Sequence, residues 1–272
     1  MTAEVWVDTH CHLFLLEDRP LQVLDRASEA GVGWVMCPGI DLSTSQRAAA
    51  IAHEHPDRVI WSAGLHPHDA STWSTVGDDI AKMATDAWAI GECGLDWYRD
   101  LAPREHQIQA FAVQLGLARE LGKPIIIHCR DAFADVYEMV GDAGLGELAV
   151  LHCWTGGPKW TRRFRELGVT FSFAGPITYT TADTLRLGAA EAPPERTMVE
   201  TDSPYLTPEP HRSLPNEPAN VPLTGRALAD VWGVDPAEVA QLTTATAARV
   251  FGGPSRQDGL ERAPDPDPVD HV

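Results

Sequence analysis

The stretch DTHCHL, residues Asp8 to Leu13, sets a cysteine between two histidines, three side chains that can all ligate a zinc-like cation. Related stretches recur along the chain. GLHPH carries His66 and His68, GECGLD carries Glu92, IIIHCR carries His128, LHCWTG carries His152, and ETDSPYL carries Asp202. Four of the five cysteines, Cys11, Cys93, Cys129 and Cys153, each directly follow a histidine or Glu92. A lone histidine at a strand end is more often a hydrogen-bonded structural residue than a ligand. Several imidazoles and two carboxylates on one face are a different matter: they suit a pair of cations about 3.5–4 Å apart with a carboxylate between them. Along a strand, residues i and i+2 share a side, so His10 and His12 can reach one ion while Cys11 points away. The same parity turns Cys93, Cys129 and Cys153 from the site toward surrounding helices, where a small, readily buried thiol packs well.

Convergence of these residues requires a scaffold. Eight short runs rich in apolar and β-branched residues, 5–12, 33–39, 59–68, 87–96, 124–130, 148–154, 169–176 and 197–206, each end in a polar or glycine-containing turn. Between them, segments such as 21–31, 104–122 and 131–144 place apolar residues at helical spacing and end in glycine, the residue a helix C-terminus favours. This alternation predicts an α/β fold, a single-domain (β/α)8 TIM-like barrel over residues 1–252, with an open doubly wound sheet as the rival. In a parallel barrel every strand's C-terminal end lies on one face, so His10, His12, His66, His68, Glu92, His128, His152 and Asp202 would meet around one pocket. A last helix over 236–252 closes the domain, and the Asp- and Pro-rich segment 253–272 reads as a disordered tail.

Composition narrows the partners. The 272 residues are 44% hydrophobic, enough for a sizeable core, and no run is long and apolar enough to span a bilayer. A cytoplasmic protein without a membrane partner is expected. Five widely spaced cysteines argue against a disulfide framework. The net charge of −18, or −15 over residues 1–252, opposes a broad polyanion-binding surface, so any nucleic acid must be gripped locally by cations and a few arginines.

DTHCHL, GLHPH, GECGLDWYRD followed by REHQ, PIIIHCRDA, LHCWTG, FSFAGPITY, ETDSPYL, NEPANVP and TAARVFG together resemble the TatD family of metal-dependent deoxyribonucleases, a branch of the amidohydrolase-like hydrolases built on a distorted TIM barrel. The resemblance runs in order from about residue 4 to residue 252. It implies one cation held by His10, His12 and Asp202, a second held by His128 and His152, and Glu92 bridging the two, with Glu92 and Asp202 catalytic. His66 falls where the family places a contact to substrate phosphate or to a third ion. Arg130 and Arg99 are read as phosphate contacts, because a guanidinium matches phosphate oxygens bidentately, with a surface or helix-capping cation as the alternative for each. The family's Arg-Gly-Lys-Arg before Asn-Glu-Pro is here HRSLPNEP, which keeps only Arg212 of those cations.

The activity the resemblance implies is 3′-5′ exonucleolytic hydrolysis of single-stranded or frayed DNA by a monomer with two divalent ions, Zn²⁺, Mn²⁺ or Mg²⁺. An ester or amide hydrolase, including an aminoacyl-tRNA deacylase, is the alternative on the same site. Many such relatives bridge their metals with a carbamylated lysine on the fourth strand, whereas here Glu92 takes that place and no lysine lies between Lys82 and Lys123. A third reading is a binding scaffold without catalysis. It conflicts with the retention of every ligand position, because clustered histidines and carboxylates are costly without a cation to pair them.

Overall fold

The computed structural model describes residues 4–254. Residues 255–272, most of the expected tail, lie outside the described residues. Eight parallel strands form one sheet in sequence order: β1 Trp6–Asp8, β2 Val32–Pro38, β3 Val59–Ala63, β4 Ala89–Asp96, β5 Ile125–Arg130, β6 Ala149–Leu151, β7 Thr170–Phe173 and β8 Thr197–Val199. The last strand returns to the first through Thr9 N–H to the Val199 carbonyl at 3.2 Å, Asp202 N–H to the His10 carbonyl at 2.8 Å and a bridge between Cys11 and Ser203, which brings the sheet round into a nearly closed barrel. The barrel reading holds, and the doubly wound alternative falls.

The helices α1 Pro20–Glu29, α2 Leu42–Glu54, α3 Trp73–Ala84, α4 Arg104–Leu121, α5 Phe133–Ala143, α6 Pro158–Glu166, α7 Asp183–Ala189, α8 Val221–Trp232 and α9 Pro236–Phe251 form the outer layer. Their ends follow local chemistry. Asp41 and Thr44 form a reciprocal capping box on α2, and Gly122 and Gly144 take left-handed conformations just past α4 and α5. With both faces covered, strand residues such as Ile125, Ile126 and Ile127 are all buried, the reason these runs read as continuously apolar rather than alternating. Among the described residues no helix is long and apolar enough to cross a membrane.

Several strands are shorter than their apolar runs suggest. β1, β6 and β8 each have only three residues, so His10, His12, His152 and Asp202 stand beyond the ladders, in the connections that leave them. Strand parity alone therefore does not orient these residues. Cys153 has φ +45°, a left-handed turn residue, and its amide donates to Glu200 Oε1 at 2.7 Å. Cys11 and Cys93 turn from the cluster into the backbone of neighbouring strands. The Cys11 thiol donates to the Met36 carbonyl at 3.5 Å and the Cys93 thiol to the Ile126 carbonyl at 3.7 Å. Burial pushes the Cys37 thiol up to about 12 and raises Cys11, Cys93, Cys129 and Cys153 as well, so none is disposed to ionise.

One strand pair places the centre of the site. β4 and β5 shift register between Ile90 and Cys93, and Gly91 and Gly94, with φ of +120° and +133°, let the two backbones approach closely on either side of Glu92. A Cβ at Gly94 would collide with the His128 backbone. Gly94→Ala should thus part β4 from β5, lowering the denaturation midpoint by an amount equivalent to about 2–3 kcal/mol. Unchanged stability in urea titration would refute this account of the pairing.

Candidate metal centre

Glu92, on β4, lies at the middle of the cluster with its side chain 4% exposed. Its two oxygens face different partners. Oε2 is 3.2 Å from His10 Nε2 and 3.8 Å from His12 Nε2, and both imidazoles also face Asp202 Oδ1, at 3.8 and 3.5 Å. Oε1 is 2.9 Å from His152 Nε2, 3.1 Å from His128 Nδ1 and 3.3 Å from His66 Nε2. His128 Nδ1 and His152 Nε2 are themselves 3.5 Å apart. All six residues expected to hold cations meet here.

The hydrogen bonds on the far side of each ring decide which nitrogen faces inward. Nε2 of His128 donates to Asp96 Oδ2 at 3.1 Å, Nδ1 of His152 to Glu200 Oε1 at 3.2 Å, and Nδ1 of His12 to the Pro38 carbonyl at 3.3 Å. In the neutral rings, lone pairs are then turned toward Glu92 and Asp202. A lone pair held against a carboxylate is repulsive unless a proton or a cation lies between them. His10 makes the case from the opposite side: it is fully buried, yet neither ring nitrogen has a hydrogen-bond partner, the 3.2 Å approach to Glu92 lacking the alignment of one. A buried imidazole without partners is costly, and a cation would satisfy it. The residues present therefore fit two cations, one on His10, His12 and Asp202, the other on His128 and His152, with Glu92 reaching both.

His66 differs. Its Nδ1 accepts the backbone N–H of His68 at 3.2 Å, which assigns the ring proton to Nε2, the nitrogen facing Glu92. Although its distances to Glu92 and His128 would suit a third ligand set, its inward nitrogen is a donor. Burial pushes its pKa down to about 4, so the ring is neutral.

The protonation balance follows from burial and the carboxylates. Burial lowers His10. It acts the same way on His12, His128 and His152, but hydrogen bonds and attraction from Asp202, Asp96, Glu92 and Glu200 outweigh it and raise all three. Burial raises Glu92, and His152, His66 and His10 more than reverse that, holding its carboxyl well below the usual range. These carboxylates attract either a proton or a metal ion to the same lone pairs.

Three residues of the site went unnoticed in the sequence. Asp96 accepts from both His68, at 2.9 Å, and His128, and its other oxygen accepts the amides of Tyr98 and Arg99 at 2.9 and 2.7 Å. Glu200 orients His152. Asp8 accepts from Thr201 N–H at 2.9 Å and Oγ1 at 2.6 Å and from His10 N–H at 3.3 Å, tying the two ends of the barrel that carry His10 and Asp202. Their signal was available: Glu200 stands two residues before Asp202, as Asp8 does before His10. The expected phosphate contacts are less central. Arg130 is exposed with its guanidinium 4.0 Å from the centre of the Tyr98 ring, and Arg99 is exposed and tied to Asp96 through its backbone.

Comparison with known proteins agrees with this geometry. The family model for TatD-related DNases matches residues 7–252. The 3′-5′ ssDNA/RNA exonuclease TatD of Pectobacterium parmentieri is 37% identical over 240 residues, 85% of this chain and 92% of that protein. The uncharacterized metal-dependent hydrolase YcfH of Escherichia coli is 36% identical over 253 residues, 90% and 95% of the two chains. Among solved structures, the TatD homologue YjjV of Escherichia coli superposes with a TM-score of 0.86 at 27% identity, covering 93% of this chain and 99% of that one. With a family match over almost its whole described length and relatives at 36–37% identity, the chain belongs to the TatD-related DNase family of metal-dependent hydrolases.

Proposed function

We propose that the protein is a two-cation phosphodiesterase that removes nucleotides from the 3′ end of single-stranded nucleic acid, acting as a monomer. The observation that carries this reading is the division of the Glu92 carboxylate, Oε2 toward His10 and His12, Oε1 toward His128 and His152. Two adjacent donor sets joined by a carboxylate suit an in-line displacement at phosphorus, in which the attacking and leaving oxygens both gather charge. The similarity to an exonuclease of single-stranded DNA and RNA supports the substrate and the polarity.

Bound divalent cations would supply Lewis acidity toward phosphate oxygens and lower the pKa of a water molecule. The protein's own groups do the rest. Asp202, at 14% side-chain exposure, is the more accessible of the two carboxylates and would accept the proton of the attacking water and pass it on toward the leaving sugar oxygen. Asp96, Glu200 and the Pro38 carbonyl hold His128, His152 and His12 in the orientation that keeps their inner nitrogens available. His66 keeps an N–H directed into the centre. The acidic chain opposes a long polyanion, and a reaction confined to a strand end needs only a few phosphates gripped. Nitrogen-rich ligation suits Zn²⁺ or Mn²⁺, while the carboxylates leave Mg²⁺ able to serve.

End-labelled single-stranded oligonucleotides with Mg²⁺, Mn²⁺ or Zn²⁺ provide the direct assay. Glu92→Gln and His128→Ala should each slow shortening by about 10³-fold or more, and wild-type rates in either would sink the site assignment. Metal analysis separates neighbouring residues: His12→Ala should lose bound cation, whereas Cys11→Ala should retain it and cost about 1 kcal/mol of stability. Because a cation must displace protons from His12, His128 and His152, whose pKa values are raised, metal uptake should release protons and weaken as pH falls. Calorimetry in buffers of different ionisation enthalpy would count those protons, and a count of zero would contradict the proposed ligands.

A further inference from the structure

Among the described residues, only two of the exposed large hydrophobic side chains are aromatic, Tyr98 at 61% and Tyr205 at 55% exposure, and each follows closely on a residue of the cluster, Tyr98 on Asp96 and Tyr205 on Asp202. They are tied to different parts of the cluster, Tyr98 to the Asp96–His128 pair and Tyr205 to Asp202 and His12. Tyr98 follows β4, and its amide donates to Asp96 Oδ1 at 2.9 Å while the other oxygen of that carboxylate accepts from His128. Tyr205 follows Asp202. Its amide donates to the Asp202 carbonyl at 2.9 Å, and its ring centre is 6.5 Å from that of His12.

Both rings are held by more than their exposure suggests. The Arg130 guanidinium lies 4.0 Å from the Tyr98 ring centre and covers one face, so the ring's large exposure belongs to the rest of it. Asn216 Nδ2 donates to the carbonyls of Tyr205 and Thr201 at 2.6 and 2.9 Å, fastening the loop that carries Tyr205. Exposing a tyrosine ring forgoes burial energy, and fixing its backbone to Asp96 or to the Asp202 carbonyl gains nothing for the core. A substrate that brings flat apolar faces to the centre would make use of both.

We infer that Tyr98 and Tyr205 are stacking platforms for the nucleobases on either side of the scissile phosphate, and that they select an unpaired strand. The inference rests on the phosphodiesterase reading above. Charge points the same way: the chain carries −18, and the stretch just before Asn216, residues 208–215, has Arg212 as its one lysine or arginine, itself stacked 3.8 Å from the Tyr179 ring centre. Phosphate contacts are correspondingly few, and stacking supplies affinity that does not depend on net charge or on sequence, because every base has a π-face. In a duplex those faces are already occupied by neighbouring bases.

The test compares a single-stranded oligothymidylate with the same strand carrying abasic tetrahydrofuran residues at its last two 3′ positions. On the unmodified strand Tyr98→Ala and Tyr205→Ala should each raise KM by about 5- to 100-fold with little change in kcat, and Tyr98→Phe and Tyr205→Phe should restore it. On the abasic strand the wild type should lose its advantage and meet the alanine variants. Alanine variants that match the wild type on the unmodified strand overturn the assignment, as does an equal loss on both strands, which would mark a structural defect. A metal-loaded wild type that leaves both strands intact overturns the phosphodiesterase reading and the platforms with it.

Discussion

The buried carboxylate of Glu92 has to be compensated by charge on both of its oxygens, and much of the site can be read as the answer to that requirement. Burial disfavours an ionised carboxyl, and the surrounding imidazoles, from the connections after β1, β3 and β6 and from β5, reverse that preference. No single element could present so many nitrogens to one carboxylate, since neighbours along a strand alternate sides and a helix offers only one face. A parallel barrel does so because all of its strands end at one rim. The tight pairing of β4 with β5, with glycine on either side of Glu92, brings the carboxylate within 3.1 Å of His128.

Around this centre lies a ring of acceptors whose work is orientation. Asp96 takes an N–H from both His128 and His68, Glu200 and the Pro38 carbonyl take those of His152 and His12, and Asp8 ties the residues after β8 to those after β1. Asp96 also fixes the turn that displays Tyr98, so the placement of His128 and of a surface aromatic depends on one buried carboxylate. His66 lies close to Glu92 with a different hydrogen-bond pattern. It sits as near to Glu92 as its neighbours do, but a backbone amide on Nδ1 makes its inner nitrogen a donor.

An enzyme this acidic cannot rely on long-range attraction to draw in a nucleic acid. The cations would neutralise the phosphate being cut, and two tyrosines beside them offer surfaces that are indifferent to charge. This division, electrostatics confined to the reacting phosphate and stacking at the bases next to it, fits a protein whose relatives include an exonuclease of single strands.

Much was legible in the sequence because it rests on local pattern. Apolar runs alternating with helical spacing announced the barrel, and polar residues at the ends of those runs announced the cluster that includes His10, His12, Glu92, His128, His152 and Asp202. Side-chain alternation set Cys11 and Cys93 aside, whereas Cys153 lies past a three-residue strand in a left-handed turn that alternation does not describe. What only the tertiary structure decided was pairing, mostly between distant residues: which oxygen of Glu92 faces which imidazole, that Asp96, Glu200 and Asp8 stand behind the cluster, and that the His68 amide meets Nδ1 of His66. Those are mostly hydrogen bonds and distances across strands far apart in the chain. A residue's type and spacing determine what it can donate or accept, but its partner is chosen by the closure of the barrel.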